Sequence, residues 1–296
     1  VNGTLPAPFQ LLPVLTPPRG SLSKSERASY IAAVHCLHNN TTFITPPSQI
    51  PGARNRYDDF VGGHMVVTQF VHNSGFFLPF HRFYLHLYET ALRDECGYAG
   101  AQPYWDWTLS YTDPRKATVF DGSPWSMGGN GVYVPGREPV TIVAPGFTKT
   151  IPPATGGGCV ESGPFTADKF VMNLGPVSFE PSGPDGGFGY NPRCVVRDLS
   201  PELAGYTRPT NVTAVLGCGD LACFNNDLDD PLFGVHGSGH FQVGGIQLDV
   251  FASPSDPIFW LHHAQVDRLW TIWQNLGNPQ NRTYQVWGTE TSGNGE

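Results

Sequence analysis

Apolar positions recur at helical spacing in several stretches of the chain, and the breaks between them fall at glycine, proline and asparagine. Ser23 and Glu26 form a capping-box pattern ahead of Tyr30, Ile31, Val34 and Leu37, so a first helix is predicted to end near Asn39. A second pattern breaks at Asn73-Ser74-Gly75 and resumes as a helix from about Leu78 to Glu95, with Phe80, Phe83, Leu87 and Ala91 at helical spacing. A last strongly apolar helix runs from Pro257 to about Gln274 and carries Trp260, Leu261, Leu269, Trp270 and Trp273. Pro257 suits a first helical position, with Ser255 or Asp256 as its cap. Residues 1–20 are proline-rich and predict an extended arm.

Between these helices the character changes. Residues 108–230 are dominated by glycine, proline, serine and threonine, with short apolar runs at Val132-Tyr133-Val134 and Thr141-Ile142-Val143. Glycine and proline number 35 and 28 of 296 residues, about 21%, below the ~25–30% that signals disorder. The stretch therefore reads as long ordered loops with a few short strands. Four of six cysteines (Cys159, Cys194, Cys218 and Cys223) lie within it and could fasten it. Cys36 and Cys96 end the first helix and the helix from Leu78, and could staple them together.

With 296 residues, 40% of them hydrophobic, the chain can bury a substantial core, and 1–296 is read as one domain. A net charge of −8 and a pI near 5.6 argue against nucleic acid and anionic membrane surfaces as partners. No stretch approaches the ~20 apolar residues of a membrane helix. The chain begins at Val1, consistent with removal of a signal peptide. Six cysteines and N-x-[ST] sequons at Asn2, Asn39, Asn40, Asn211 and Asn281 together predict a secreted, disulfide-bonded glycoprotein.

Histidine placement carries the chemistry. On one unbroken helix His64 and His72 would lie about 12 Å apart along the axis. To share a metal they need the break at Asn73, which places His64 on a helix, His72 on the loop and His81 in the first turns of the next helix. His236 and His240, at i and i+4, share one helical face, with Cβ atoms roughly 5–6 Å apart. Propensity alone does not predict a helix over residues 231–242, since Gly234, Gly237 and Gly239 each cost up to ~1 kcal/mol relative to alanine; burial and metal ligation must hold it. His262 and His263 are adjacent, about 100° apart on a helix, so only one can face a metal. The result is two positions of three imidazoles. His35 and His38 fit no such pattern and read as surface or capping residues.

DDFVGGHMVVTQFVHNSGFFLPFHRFYLHLYE, QPYWDW, HGSGH and DPIFWLHHAQVDRLW resemble the two copper motifs of the type-3 copper proteins: tyrosinase, catechol oxidase and hemocyanin. They cover about a third of the chain, and the remainder fits a fungal polyphenol oxidase. The resemblance implies a mainly α fold with a central four-helix bundle around two copper ions. It implies that His64, His72 and His81 bind copper A, and that His236, His240 and His263 bind copper B. The last ligand of the family lies seven residues after the aspartate of DP, which selects His263 and leaves His262 beside the site. O₂ as co-substrate and small phenols as substrates follow, with o-diphenols oxidised to o-quinones by a monomeric enzyme. The family also keeps a carboxylate four residues after the last histidine and an aromatic residue one turn before it. Those positions are Asp267, expected to orient His263, and Phe259.

Two departures matter. Where many fungal relatives have a cysteine that forms a thioether to the second copper A histidine, this chain has Phe70. Where relatives active on monophenols often have an asparagine after the first copper B histidine, it has Gly237. Gly237 therefore predicts weak monophenol hydroxylation, and the upstream carboxylates Asp227, Asp229 and Asp230 cannot be placed from sequence. Tyr104, Trp105 and Trp107 read as core aromatics. The alternatives are a full tyrosinase or o-aminophenol oxidase, a hemocyanin-like oxygen carrier, and a dinuclear zinc hydrolase. The last is disfavoured because no carboxylate lies among the histidines of either motif.

Overall fold

The computed structural model describes residues 21–41, 44–46, 48–144, 147–179, 181–230, 234–277 and 279–289. The arm expected over residues 1–20 lies outside them.

Helix α1 (Lys24–Asn39) starts on the predicted capping box: Ser23 Oγ accepts from Glu26 N at 3.3 Å, and Glu26 Oε2 accepts from Ser23 N at 2.8 Å. Its Tyr30, Ile31, Val34 and Leu37 are all buried. Asn55 caps α2 (Arg56–Val71), and the chain leaves that helix at His72. Asn73 then takes a left-handed conformation (φ 48°), which asparagine tolerates better than most residues. This turn brings the chain back into α3 (Phe77–Asp94).

The predicted stripe on α3 faces inward only in part: Ala91 is buried and Phe80 packs against the core, but the other two positions point outward. Phe83 and Leu87 are 58% and 43% exposed, whereas Phe77, His81, Tyr84, Tyr88 and Leu92 are buried. Both faces of α3 are apolar, so spacing alone cannot choose between them. The aromatic face wins because its rings find partners in the core: Tyr88 stacks on Trp260 with centroids 3.6 Å apart, and Tyr84 Oη donates to Phe60 O at 2.6 Å.

The loop region holds two small antiparallel sheets. Strand β1 (Gly131–Tyr133) belongs to the first, β2 (Val140–Ala144) pairs with β3 (Phe147–Ile151), and β4 (Gly157–Val160) pairs with β1. Short helices α4 (Pro201–Ala204), α5 (Pro209–Leu216) and α6 (Leu221–Leu228) follow, then α7 (Val235–Phe241), α8 (Ile258–Asn275) and α9 (Pro279–Thr283). Three disulfides, Cys36–Cys96, Cys159–Cys194 and Cys218–Cys223, use all six cysteines. The first joins the ends of α1 and α3, as expected.

The loop region is tied to the bundle by a fully buried ion pair. Arg197 Nε and Nη2 each donate to Asp256 at 2.8 Å, with both side chains 0% exposed. Asp256 Oδ1 also accepts from Ile258 N at 3.1 Å, so the same carboxylate serves the start of α8. Pro257 is the residue before that helix rather than its first, one position later than predicted.

Helices α2, α3, α7 and α8 form the bundle that carries the site histidines. Glycine in α7 has a packing reason: a Cβ on Gly239 would lie 2.1 Å from His262 Cε1, so only glycine lets α7 approach α8 this closely. His35 and His38, expected at the surface or as caps, are instead half-buried under the loop region. His35 stacks on Phe165 and His38 on Phe170, and His38 Nε2 lies 2.9 Å from Val171 O.

Candidate metal centre

The fold gathers the histidines into two groups. His64 from α2, His72 at its end and His81 from α3 bring one ring nitrogen each within 4.8 Å of one another. His236 and His240 from α7 do the same with His262 and His263 from α8. The groups adjoin: His81 stacks on His263 with centroids 4.3 Å apart and planes 14° apart. Phe259 lies 4.2 Å from the His263 ring and 5.4 Å from that of His64, and Phe77 lies 4.8 Å from His81 and 4.6 Å from His236. Each of these phenylalanines touches both groups, and the first sequence motif gave no signal for Phe77 beyond its apolar character.

Hydrogen bonds fix which nitrogen faces inward. His64 Nδ1 lies 2.7 Å from Phe251 O, His72 Nδ1 3.0 Å from Thr68 O and His81 Nδ1 2.8 Å from Phe77 O. His236 Nδ1 lies 2.6 Å from Asp229 Oδ1, and His240 Nδ1 2.7 Å from Gln247 Oε1. All five partners are acceptors, so these imidazoles carry their proton on Nδ1 and present a bare Nε2. Burial disfavours a second proton, holding His72 at about 4 and His64, His81, His240, His262 and His263 well below the usual histidine range.

The bare nitrogens then converge. His240 Nε2 is 3.1 Å from both His236 Nε2 and His263 Nε2. With Nδ1 protonated, no hydrogen remains between His240 and His236, and their lone pairs repel unless a cation sits among them. His64 Nε2 and His81 Nε2 are buried with no hydrogen-bond partner in the protein. An all-imidazole donor set suits copper and zinc alike. The residues present therefore fit a pair of such metal ions.

The common central domain of tyrosinase matches residues 54–276. Tyrosinase P of Aspergillus terreus is 42% identical over 291 residues, which span 95% of this chain and 81% of that protein. The N-acetyl-6-hydroxytryptophan oxidase ivoB of Emericella nidulans is 40% identical over 276 residues, spanning 88% of this chain and 74% of that protein. A glycine-to-asparagine mutant of a polyphenol oxidase from Thermothelomyces thermophila superposes with a TM-score of 0.83 at 43% identity, covering 90% of this chain and 72% of that one. The chain belongs to the tyrosinase family.

As a tyrosinase-family protein it is a copper oxidoreductase, and its cofactors are two copper ions, with O₂ as co-substrate. A small cleft, open to solvent, reaches the centre at His72, His236 and His240. Asn73, Asp229, Asp230, Gly237 and Phe241 are among its walls. His262 is buried beside the second group, its ring 4.1 Å from that of His240, and Trp107 packs against it at 5.2 Å. Neither of its nitrogens makes a hydrogen bond, and neither reaches another Nε2 as His263 does.

Asp267 does not do what its spacing suggested. It pairs with Arg82 Nε at 2.5 Å, while His263 Nδ1 has no partner. The guanidinium competes for the carboxylate and wins, because a charged donor gains more from it than a neutral imidazole does. None of the five orienting groups was assigned from sequence, the carbonyls of Thr68 and Phe77 included. The Phe251 carbonyl has no side-chain signature, Gln247 belongs to no motif, and Asp229 was a candidate without a place. Asp249 also contributes, accepting from Phe251 N at 2.9 Å and Ala252 N at 3.1 Å and so holding the turn that offers Phe251 O to His64.

Proposed function

We propose that the protein is a polyphenol oxidase that converts o-diphenols to o-quinones and hydroxylates monophenols weakly. In this reading His64, His72 and His81 hold copper A, His236, His240 and His263 hold copper B, and residues 1–296 act as one catalytic domain. The observation that carries it is the convergence of bare Nε2 atoms from two adjoining trios at the foot of an open cleft. His263 is preferred over His262 because its Nε2 meets that of His240 at 3.1 Å.

When bound, copper supplies O₂ binding and two-electron redox capacity. The protein's own groups do the rest. The Nδ1 bonds hold the rings in place before any metal arrives. Phe77 and Phe259 set apolar rings against both trios. The cleft opens beside His236, where Gly237 offers no side chain to obstruct or orient a flat ring.

In this reading weak monophenol activity follows from the lack of a free base among the described residues of the cleft. A phenol has a pKa of about 10 and needs help to lose its proton. Of the two carboxylates lining the cleft, Asp229 already accepts from His236, and Asp230 faces the charge of Lys149. Relatives described as a polyphenol oxidase and as a hydroxytryptophan oxidase support a hydroxylated aromatic substrate. Three disulfides support an oxidising compartment, and hence secretion.

Rates on a monophenol and its matching diphenol, for wild type and Gly237→Asn, test the reading. A Cβ at this position meets Phe241 Cε2 at 3.2 Å, so the ring must give by a few tenths of an ångström while the fold is kept. Wild type should oxidise the diphenol far faster, and Gly237→Asn should raise the relative monophenol rate. A wild type that hydroxylates tyrosine as fast as it oxidises the corresponding catechol is a full tyrosinase instead.

A further inference from the structure

The partners of the six Nδ1 atoms are not alike. His64, His72 and His81 all donate to backbone carbonyls. His240 donates to a neutral amide oxygen, and His263 Nδ1 has no partner. Only His236, among the described residues, is bonded to a carboxylate, Asp229, at 2.6 Å. The geometry points to Asp229 as a positioning residue that makes the His236 trio the tighter of the two copper positions.

The physical reason is direct. A carboxylate that accepts Nδ1–H draws that proton towards itself and leaves Nε2 a stronger donor, and it fixes the ring against rotation. A carbonyl does the second but much less of the first. Asp229 is itself held, since it closes α6 and its backbone N donates to Asn225 O at 2.9 Å. Its charge also reaches His72, whose Nδ1 is already bonded to Thr68 O, so its influence on the other trio acts through space. The bond to His236 also removes Asp229 from service as a base for substrate, although it lines the cleft.

The inference rests on the reading that both trios bind copper. Its test is an anaerobic Cu(I) titration of metal-free protein against a chromogenic chelator, for wild type, Asp229→Ala, Asp229→Asn and Asp229→Glu. Wild type should take up two coppers in steps of unequal affinity. Asp229→Ala should weaken one step by about 10–100-fold and leave the other within a few-fold. Asp229→Asn, which can still accept Nδ1–H without the charge, should lose less, and Asp229→Glu should recover part of the loss. In a His81→Ala background, where only the His236 trio is complete, Asp229→Ala should weaken the remaining copper by the same factor. Equal weakening of both steps, or no change in either, overturns the inference alone. A wild type that takes up no copper sinks the functional reading as well.

Discussion

Gln247 shows how the site depends on residues outside its motifs. Its Oε1 accepts from His240, and its Nε2 donates to Ser253 O at 2.7 Å, so the amide cannot flip without losing both bonds. Gln247→Leu strands the buried His240 N–H, which costs about 1–3 kcal/mol. Thermal unfolding should show that loss, and copper per chain should fall. The histidines themselves were legible because ligand spacing leaves a pattern: i and i+4 on α7, and a helix broken between His72 and His81. Their partners left none. A backbone carbonyl such as Phe251 O is the same in every residue, and Asp229 and Gln247 reach their histidines through the fold's own turns. Asp267 was misread for the opposite reason. Its spacing from His263 was right, but nothing in the sequence announced that Arg82, on another helix, would claim it.

Arg82 is as much a feature of two helices as of one residue. From α3, next to His81, it reaches Asp267, Thr271 Oγ1 at 2.9 Å and Gln274 Oε1 at 3.0 Å on α8, and its guanidinium lies 3.8 Å from the Trp270 ring. Arg82→Met should keep much of the packing and lose about 1.5–3 kcal/mol from the charged hydrogen bonds. The Arg197–Asp256 pair joins elements more rigidly. Asp256→Ala leaves a buried guanidinium uncompensated and should cost about 3–5 kcal/mol in denaturant unfolding. Arg197→Met with Asp256→Ala should cost less than Asp256→Ala alone; a double variant worse than the single would show that the pair's attraction outweighs its desolvation. Helices α4, α5 and α6 fall in the stretch read as loops and short strands, and α7 starts at Val235 rather than at 231. The long helices α1, α3 and α8 were predictable in position to about a residue. The inward face of α3 was not, since its choice depends on Trp260 and Phe60, partners that spacing cannot supply.

Across the molecule, the buried imidazoles set the response to acid. In the folded protein burial holds His72 at about 4 and His64, His81, His240, His262 and His263 well below the usual histidine range, whereas unfolded histidine titrates near 6.5. The unfolded chain therefore takes up protons first as pH falls. This contribution is complete above about pH 6.5 and is lost as pH falls through 4. Asp58, raised to about 6 by burial, acts in the opposite sense, because the folded chain binds its proton first. Burial raises Asp267 in the same sense, but several imidazoles outweigh two carboxyls, so the melting temperature of copper-free protein should fall from pH 7 to pH 4, and a flat profile would refute the balance. Each histidine trio is drawn from one stretch of chain, residues 64–81 or 236–263, with only its own neighbourhood to close. A metal ion in either is a local clip, and neither spans the two ends of the sequence. What keeps the halves face to face is the α3–α8 brace and the aromatic packing around Trp260, which need no metal. Closure of the scaffold and arrival of the metals are thus separable events. A half-loaded protein should keep its shape while lacking the paired centre that O₂ requires.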